Sequence, residues 1–293
     1  MDGSWHCWIL GVILLLQLFP DSQAWGDAGH YAVCKIAEEY LTKDARVAVN
    51  ALLPVSAEGH LANVCSWPDD IRRTDRSYSW STALHFVNPP DSTCNYDYSR
   101  DCHDSAGNKG RCVTGAIYNY TTQLTSPNAV LKYNLTEALM FLSHFIGDIH
   151  QPLHVGFVGD LGGNRIVVNW YDTKTNLHRV WDDKIIDSAL EKFYNSDVET
   201  MIQAIQKNIT DNWSTSWAFC RSNQTVCPNL YASESISATC KYAYPNASAG
   251  SNLGDDYFYS RLPIVELRLA QGGVRLAAVL NNIFASKAKI AQA

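Results

Sequence analysis

Apolar residues recur at helical spacing through Ala32, Val33, Ile36 and Ala37, and predict a helix over 29–41. A second, shorter helix is predicted over 43–53, ended by Pro54. Residues 88–115 lose this periodicity. Pro89, Pro90, Gly107, Gly110 and three cysteines fall there, which reads as an irregular excursion. Helical character resumes over 114–124. Asn134-Leu135-Thr136-Glu137 then starts a helix that runs through Leu139, Phe141, Leu142, Phe145 and Ile146 to His150, where Pro152 stops it. Residues 166–170 alternate as a strand does, after a turn at Gly162-Gly163. Helices are predicted over 177–190 and 198–209, and a cysteine-bearing loop region over 220–245. A long C-terminal helix follows over 256–286, with an interruption expected near Pro263 or Gly272-Gly273. No internal repeat or linker is visible, and helices dominate.

With 293 residues and 46% hydrophobic content, the chain can bury one substantial core, so a single large domain is the simplest organisation. An aromatic content of 11% argues against disorder. The formal net charge of -6 is the informative number. A protein that holds long nucleic acid by electrostatics alone is ordinarily basic. Either nucleic acid is not the ligand, or the positive charge is local, as bound metal ions would make it.

The amino end reads as a secretory signal. Residues 8–19 form an apolar run broken by Gly11 and Gln17, Pro20 and Asp21 end it, and Ser22-Gln23-Ala24 offers small residues where a signal peptidase reads. Cleavage is expected after Ala24, leaving Trp25 first. The alternative is a membrane anchor, for which the run is short. The expected division is a signal over 1–24, one domain over 25–286, and a tail over 287–293 that is a candidate for trimming. Nine cysteines less Cys7 leave 9 − 1 = 8, an even number suited to an oxidised secreted domain. Asn119, Asn134, Asn208, Asn212, Asn223 and Asn246 head N-x-S/T sequons, which together suggest a glycoprotein.

Candidate chemistry lies in the histidines and aspartates. His144 and Asp148 are four apart on the predicted 134–150 helix, so both project from one face, one turn apart. His178 and Asp182 repeat that spacing. His154 lies just past the helix end, Asp69 in Ser66-Trp67-Pro68-Asp69, His85 in Leu84-His85-Phe86, and His30 five residues after Trp25. A single His-x-x-x-Asp pair is matched equally by a surface ion pair or a capping pair. Two pairs with three further histidines, in a chain that has nine, are harder to read that way. His144 also sits in the core-like stretch Phe141-Leu142-Ser143-His144-Phe145, where burying imidazole and carboxylate is costly without metal or tight pairing. Nitrogen and oxygen ligands with an open position suit hydrolytic zinc, whereas structural zinc is usually rich in Cys thiolate. His60 and His103 read as solvated loop residues. His150, two residues from Asp148, faces elsewhere and reads as structural.

Trp25-Gly26-x-x-Gly29-His30, Ser66-Trp67-x-Asp69-x-x-Arg72, Leu84-His85-Phe86, Ser143-His144-Phe145-x-Gly147-Asp148-x-His150-Gln151-Pro152-Leu153-His154, Gly162-Gly163-Asn164 and Asn176-Leu177-His178-x-x-Trp181-Asp182 appear in that order. The set resembles the plant type I nucleases, zinc-dependent enzymes that prefer single strands and are related to secreted fungal nucleases. The resemblance covers nearly the whole chain after residue 24, including Tyr257-Phe258-Tyr259-Ser260-Arg261-Leu262-Pro263 and Ala270-Gln271-Gly272-Gly273-Val274-Arg275-Leu276-Ala277. It implies a mainly α-helical single-domain fold of the zinc phospholipase C and nuclease type, with a short β-hairpin and disulfide-bonded loops. It also implies three zinc ions in one cleft. Asp69, His85, His144 and Asp148 would hold the first, and His154, His178 and Asp182 the second. Trp25, His30 and a bridging Asp148 would hold the third. Trp25 would bind through its free α-amine, which exists only once the signal is removed. Three dications against three aspartates leave a site charge of about +3, which answers the acidic total.

By the same resemblance, Asp69 orients the attacking water, Arg72 neutralises the transition state, and the products carry 5′-phosphates. Single-stranded DNA and RNA are the expected substrates, with 3′-nucleotidase activity as an addition. For Arg72 the alternative is a surface ion pair with Asp69 or Asp70. Phe86 is a candidate base-stacking platform, with ordinary core packing as its alternative. Asn88 stands where fungal relatives carry Asp, which bears on base preference. Asn164 contacts phosphate or base, or else only forms its turn. The implied disulfides are Cys34–Cys65, Cys94–Cys240, Cys102–Cys112 and Cys220–Cys227. A secreted monomer is expected, extracellular or in a lytic or vacuolar compartment, with no stable protein partner and no membrane association. Two other functions remain open here. A zinc-dependent phospholipase C shares the fold and much of the ligand set, although bacterial members use Glu where this chain has Asp182. A zinc-storage glycoprotein would have no need of Asp69 or Arg72.

Overall fold

The structure, a computed structural model, describes residues 25–220 and 224–291. The expected signal over 1–24 and the sequon residue Asn223 lie outside the described residues. Thirteen helices are described: α1 (Asp27–Glu39), α2 (Lys43–Leu52), α3 (Trp67–Thr74), α4 (Tyr98–Asp101), α5 (Val113–Thr125), α6 (Ala129–Lys132), α7 (Leu135–Asp148), α8 (Leu177–Arg179), α9 (Ile185–Phe193), α10 (Val198–Lys207), α11 (Asp211–Ala218), α12 (Pro228–Ala238) and α13 (Asp255–Ala291). The fold is mainly α, as the sequence pattern predicts. α13 packs against α1, α2, α7, α9, α10 and α11, so one long helix organises the core.

α7 is the central element, and its start is written in the sequence. The Asn134 side chain accepts from the Glu137 backbone N–H, satisfying one free group of the helix end, and donates to the Glu137 carboxylate. Nearly every residue from Ala138 to Asp148 is buried, because α1, α3, α5 and α13 enclose the helix. The strand expected over 166–170 is β1 (Val167–Trp170). It pairs antiparallel with β2 (Thr173–Asn176) through a tight turn at Tyr171 and Asp172, both at positive φ, and parallel with β3 (Asn252–Leu253). Gly162 and Gly163 have φ of +62° and +83°, a backbone shape that glycine adopts without strain.

Two expectations are corrected. Residues 220–245 are not a loop region: α12 fills 228–238 and a wide π turn continues it over Thr239–Ala243. Its buried face is Tyr231, Ala232, Ser235 and Ile236, and small and polar members leave only a faint apolar period. Pro228, at the first turn, starts the helix rather than breaking it. The C-terminal helix is also uninterrupted, and it runs into residues expected to form a tail. Pro263 is exposed, where water can serve the carbonyl it leaves unpaired. Gly272 and Gly273 let α13 approach α1: a Cβ at 273 would sit 2.4 Å from Ile36 Cγ2.

Four disulfides join Cys34 to Cys65, Cys94 to Cys240, Cys102 to Cys112 and Cys220 to Cys227, the pairings that the resemblance implies. Asn119, Asn134, Asn208 and Asn246 are exposed, and Asn212 lies on α11. Among the described residues, no helix is long and apolar enough to cross a membrane.

Candidate metal centre

Asp148, on the last turn of α7 and fully buried, is the hub. Its Oδ1 lies 3.4 Å from Nε2 of His30 and 3.6 Å from Nδ1 of His154. Its Oδ2 lies 3.1 Å from Nδ1 of His85 and 3.2 Å from Nε2 of His144. Asp69, on α3, brings Oδ1 within 3.4 Å of His85 Nδ1 and 3.8 Å of His144 Nε2. A second group lies alongside: Nε2 of His178 is 3.4 Å from Asp182 Oδ2 and 3.2 Å from Nε2 of His154. Asp182 is carried by a π turn (Val180–Lys184) between α8 and α9, a local widening that often marks functional positions.

Backbone carbonyls orient the rings. Nδ1 of His144 donates to Cys65 O, Nδ1 of His154 to His85 O, and Nδ1 of His178 to Gly162 O. A carbonyl can only accept, so each of these Nδ1 atoms carries the proton and each Nε2 keeps its lone pair. The His154 and His178 lone pairs therefore face each other at 3.2 Å. Two segments that supply ligands are zipped together as well. Val87 N–H donates to His154 O, Asn88 Nδ2 to Gly156 O, and Val158 N–H to Pro89 O.

Burial, aided by neighbouring rings, holds His30, His85 and His154 well below the usual histidine range. Burial pushes His178 down to about 4. Asp148 is pushed up to about 7 by burial, against the pull of His144. His144 is raised, since Asp148 and Asp69 outweigh the burial that would lower it. The imidazoles are thus mostly neutral at neutral pH, which is the form that binds metal.

The donor set fits metal ions. Both Asp148 oxygens, both His30 ring nitrogens and His85 Nε2 are buried without a hydrogen bond, an arrangement that is costly unless something else satisfies it. Ligands bound about 2.0–2.2 Å from a tetrahedral ion stand roughly 3.3–3.5 Å apart, close to the spacings observed. Three groups have ligand atoms within 4.8 Å of one another: His30, Asp69 and His144; His85, His144 and Asp148; and His154, His178 and Asp182.

The remaining candidates separate. Arg72 Nη2 lies 3.3 Å from Asp69 Oδ1, and its side chain is only 9% exposed, so the pair is at the site rather than on the surface. Trp25, just before α1 begins, is buried against Gly29, and the next residue, Gly26, donates to Asp182 O. Phe86 is 37% exposed beside His85. Asn88 is half-buried, with its amide committed to Gly156 O. The Asn164 amide donates to Leu161 O, as a turn-forming residue would. His60 and His103 are exposed, while His150 is buried outside the cluster. Sequence reasoning assigned no role to Gln151. Fully buried, it donates Nε2 to Asp182 Oδ1 while its Oε1 accepts from Leu153 N–H. A polar residue pinned between a helix end and Pro152 was the available signal.

Known proteins resemble this chain along nearly its whole described length. The family model described as S1/P1 Nuclease matches residues 25–285. Endonuclease 4 of Arabidopsis thaliana is 59% identical, with 99% of each chain covered. Endonuclease 2 of the same plant is 53% identical over 93% of this chain and 94% of its own. Nuclease P1 of Penicillium citrinum is 34% identical over 90% of this chain and 99% of its own.

Proposed function

The chain belongs to the S1/P1 nuclease family and is a hydrolytic nuclease, and on that premise we propose that it cleaves single-stranded DNA and RNA to 5′-phosphate products at a centre of three zinc ions. One observation carries the reading: the buried Asp148 carboxylate is surrounded by four imidazoles and satisfied by no hydrogen bond. Asp69, His85, His144 and Asp148 would hold one ion, His154, His178 and Asp182 a second, and Trp25, His30 and Asp148 the third. Trp25 would contribute the α-amine that removal of residues 1–24 exposes. A free α-amine has a pKa of about 8 and must lose a proton to bind, so secretion completes the site.

Zinc held there supplies positive charge for a phosphodiester and lowers the pKa of water. The chain's own groups do the rest. Asp69 orients the attacking water; as its oxygen bonds to phosphorus, the bond to the 3′ oxygen breaks and phosphate stays on the 5′ side. Arg72 faces the charge that builds on the phosphoryl oxygens. The exposed ring of Phe86 stacks on any base, and Asn88 and Asn164 are the further substrate-binding candidates. A duplex keeps its bases in the stack, which gives the preference for single strands. A 3′-phosphomonoester meets the same groups, which supports 3′-nucleotidase activity. The protein is a secreted, glycosylated monomer on this reading.

The test is metal analysis of the protein beginning at Trp25, with cleavage of single strands, duplex and RNA before and after chelation. Three zinc ions per chain and chelator-sensitive cleavage of single strands are expected. Cleavage that survives metal removal, or faster turnover of phosphatidylcholine than of DNA, overturns the proposal. A variant that keeps an extra Met before Trp25 loses zinc and activity; full metal content there refutes the role of the amine.

A further inference from the structure

The motif around Arg275 takes no part in the chemistry above, yet its charge is buried. Arg268 and Arg275 on α13 are 3% and 2% exposed. Glu234 on α12 meets both: its Oε2 accepts from Nη1 of Arg268 at 3.0 Å and from Nη1 of Arg275, and its Oε1 accepts from Nη2 of Arg275 at 2.8 Å. Two guanidiniums held by one carboxylate are a costly thing to bury without a reason.

What the network surrounds is the turn over 149–152. Arg268 Nε donates to His150 O, Ser235 Oγ to Ile149 O, and Thr239 Oγ1 to Pro152 O. Arg275 Nη1 meets Nε2 of His150, whose Nδ1 donates to Ile146 O. Three carbonyls of a four-residue turn are thus gripped by side chains of α12, its π turn and α13. The same turn follows Asp148, contains Gln151, which holds Asp182, and leads into His154.

We propose that Glu234, through Arg268 and Arg275 and together with Ser235 and Thr239, positions the turn over 149–152 so that Asp148, His154 and Asp182 converge on the metal ions. These are positioning residues: they touch neither metal nor substrate. The inference rests on the metal-binding reading above, since it concerns how that site is held. Partners behind metal ligands typically govern affinity by 10- to 100-fold.

The test uses the full zinc-loaded protein beginning at Trp25 and follows zinc release into excess chromogenic chelator. Glu234→Gln and Thr239→Val are expected to release zinc about ten- to a hundredfold faster than the parent. Leu280→Ala, a core truncation elsewhere on α13, is the control for lost stability and is expected to stay within about twofold of the parent. Should Glu234→Gln fail to fold, Thr239→Val, nearly the same shape, carries the measurement. Release at the parent's rate in both positioning variants overturns the proposal, as does equally fast release from Leu280→Ala at matched loss of Tm. A parent that takes up no zinc overturns the reading it rests on, and this with it, whereas a zinc-tight parent with indifferent variants overturns only this.

Discussion

Nδ1 of His144 donates to the backbone carbonyl of Cys65 at 2.8 Å, across 79 positions of sequence. Cys65 is tied in turn to Cys34 on α1, the helix that carries His30. One disulfide therefore links a ring-orienting carbonyl to the helix of another candidate ligand. Replacing both cysteines by alanine should cost about 3–4 kcal/mol, from a closed loop of 31 residues. It should also lower zinc affinity. Thermal denaturation of the double variant checks this, and an unchanged Tm would count against it.

Gln151 places Asp182 from behind. Gln151→Ala should weaken zinc binding by roughly 10- to 100-fold, and Gln151→Glu should do worse, setting carboxylate against carboxylate. Metal-buffered titrations measure both. Parent-like affinity in Gln151→Glu would show that the contact is incidental.

Gly147 has an expected sign opposite to helix propensity. Ala for Gly inside a helix ordinarily stabilises by about 1 kcal/mol. Here a Cβ at 147 would lie 2.8 Å from Nδ1 of His30. Gly147→Ala should destabilise by about 1–3 kcal/mol and displace His30. Urea unfolding gives the sign, and a stabilised variant with full metal content would refute the argument.

Phe86→Ala should leave folding almost untouched, since the ring is partly exposed. Loss of one stacked base is worth about 1–3 kcal/mol, roughly 5- to 150-fold in KM for single strands. Steady-state kinetics on short oligonucleotides decides it, and an unchanged KM removes Phe86 from the substrate path.

Acid should destabilise the metal-free protein. His178, pushed down to about 4 by burial, has a folded pKa below its unfolded value of about 6.5. The unfolded chain therefore binds the extra proton between those values, and stability falls as pH drops through that window. For His178 alone the loss approaches about 3 kcal/mol near pH 4. His30, His85 and His154 act in the same direction. Asp148 and His144, both raised, work the other way, two groups against four. Urea midpoints of chelated protein should fall from pH 7 to pH 4; a flat or rising profile would contradict the burial account.

The helix α7 was legible because Asn134 and Glu137 mark its start and Pro152 marks its stop, all within local reach. The His144–Asp148 pair was legible for the same reason, as four-residue spacing is a property of one helix, while His178 and Asp182 keep that spacing across α8 and the π turn that follows it. α12 was not, because Ser235 and Thr239 sit in a buried face that is paid for by distant carbonyls. The close approach of α1 at Gly272-Gly273, with Ile36 where a Cβ at 273 would sit, was likewise invisible to local pattern.

By itself the sequence determined helices such as α1, α7 and α10, the ligand types and which residues share a helical face, since these follow from short-range sterics and periodicity. Only the tertiary structure decided which nitrogen of each ring points inward, because the proton on the other is held by a carbonyl such as Cys65 O, His85 O or Gly162 O, 16 to 79 residues away. It also decided that Glu234, Arg268 and Arg275 meet behind the Asp148 turn. Chain geometry constrains neighbours over a few bonds, whereas contacts across the fold exist only once the core has closed around them.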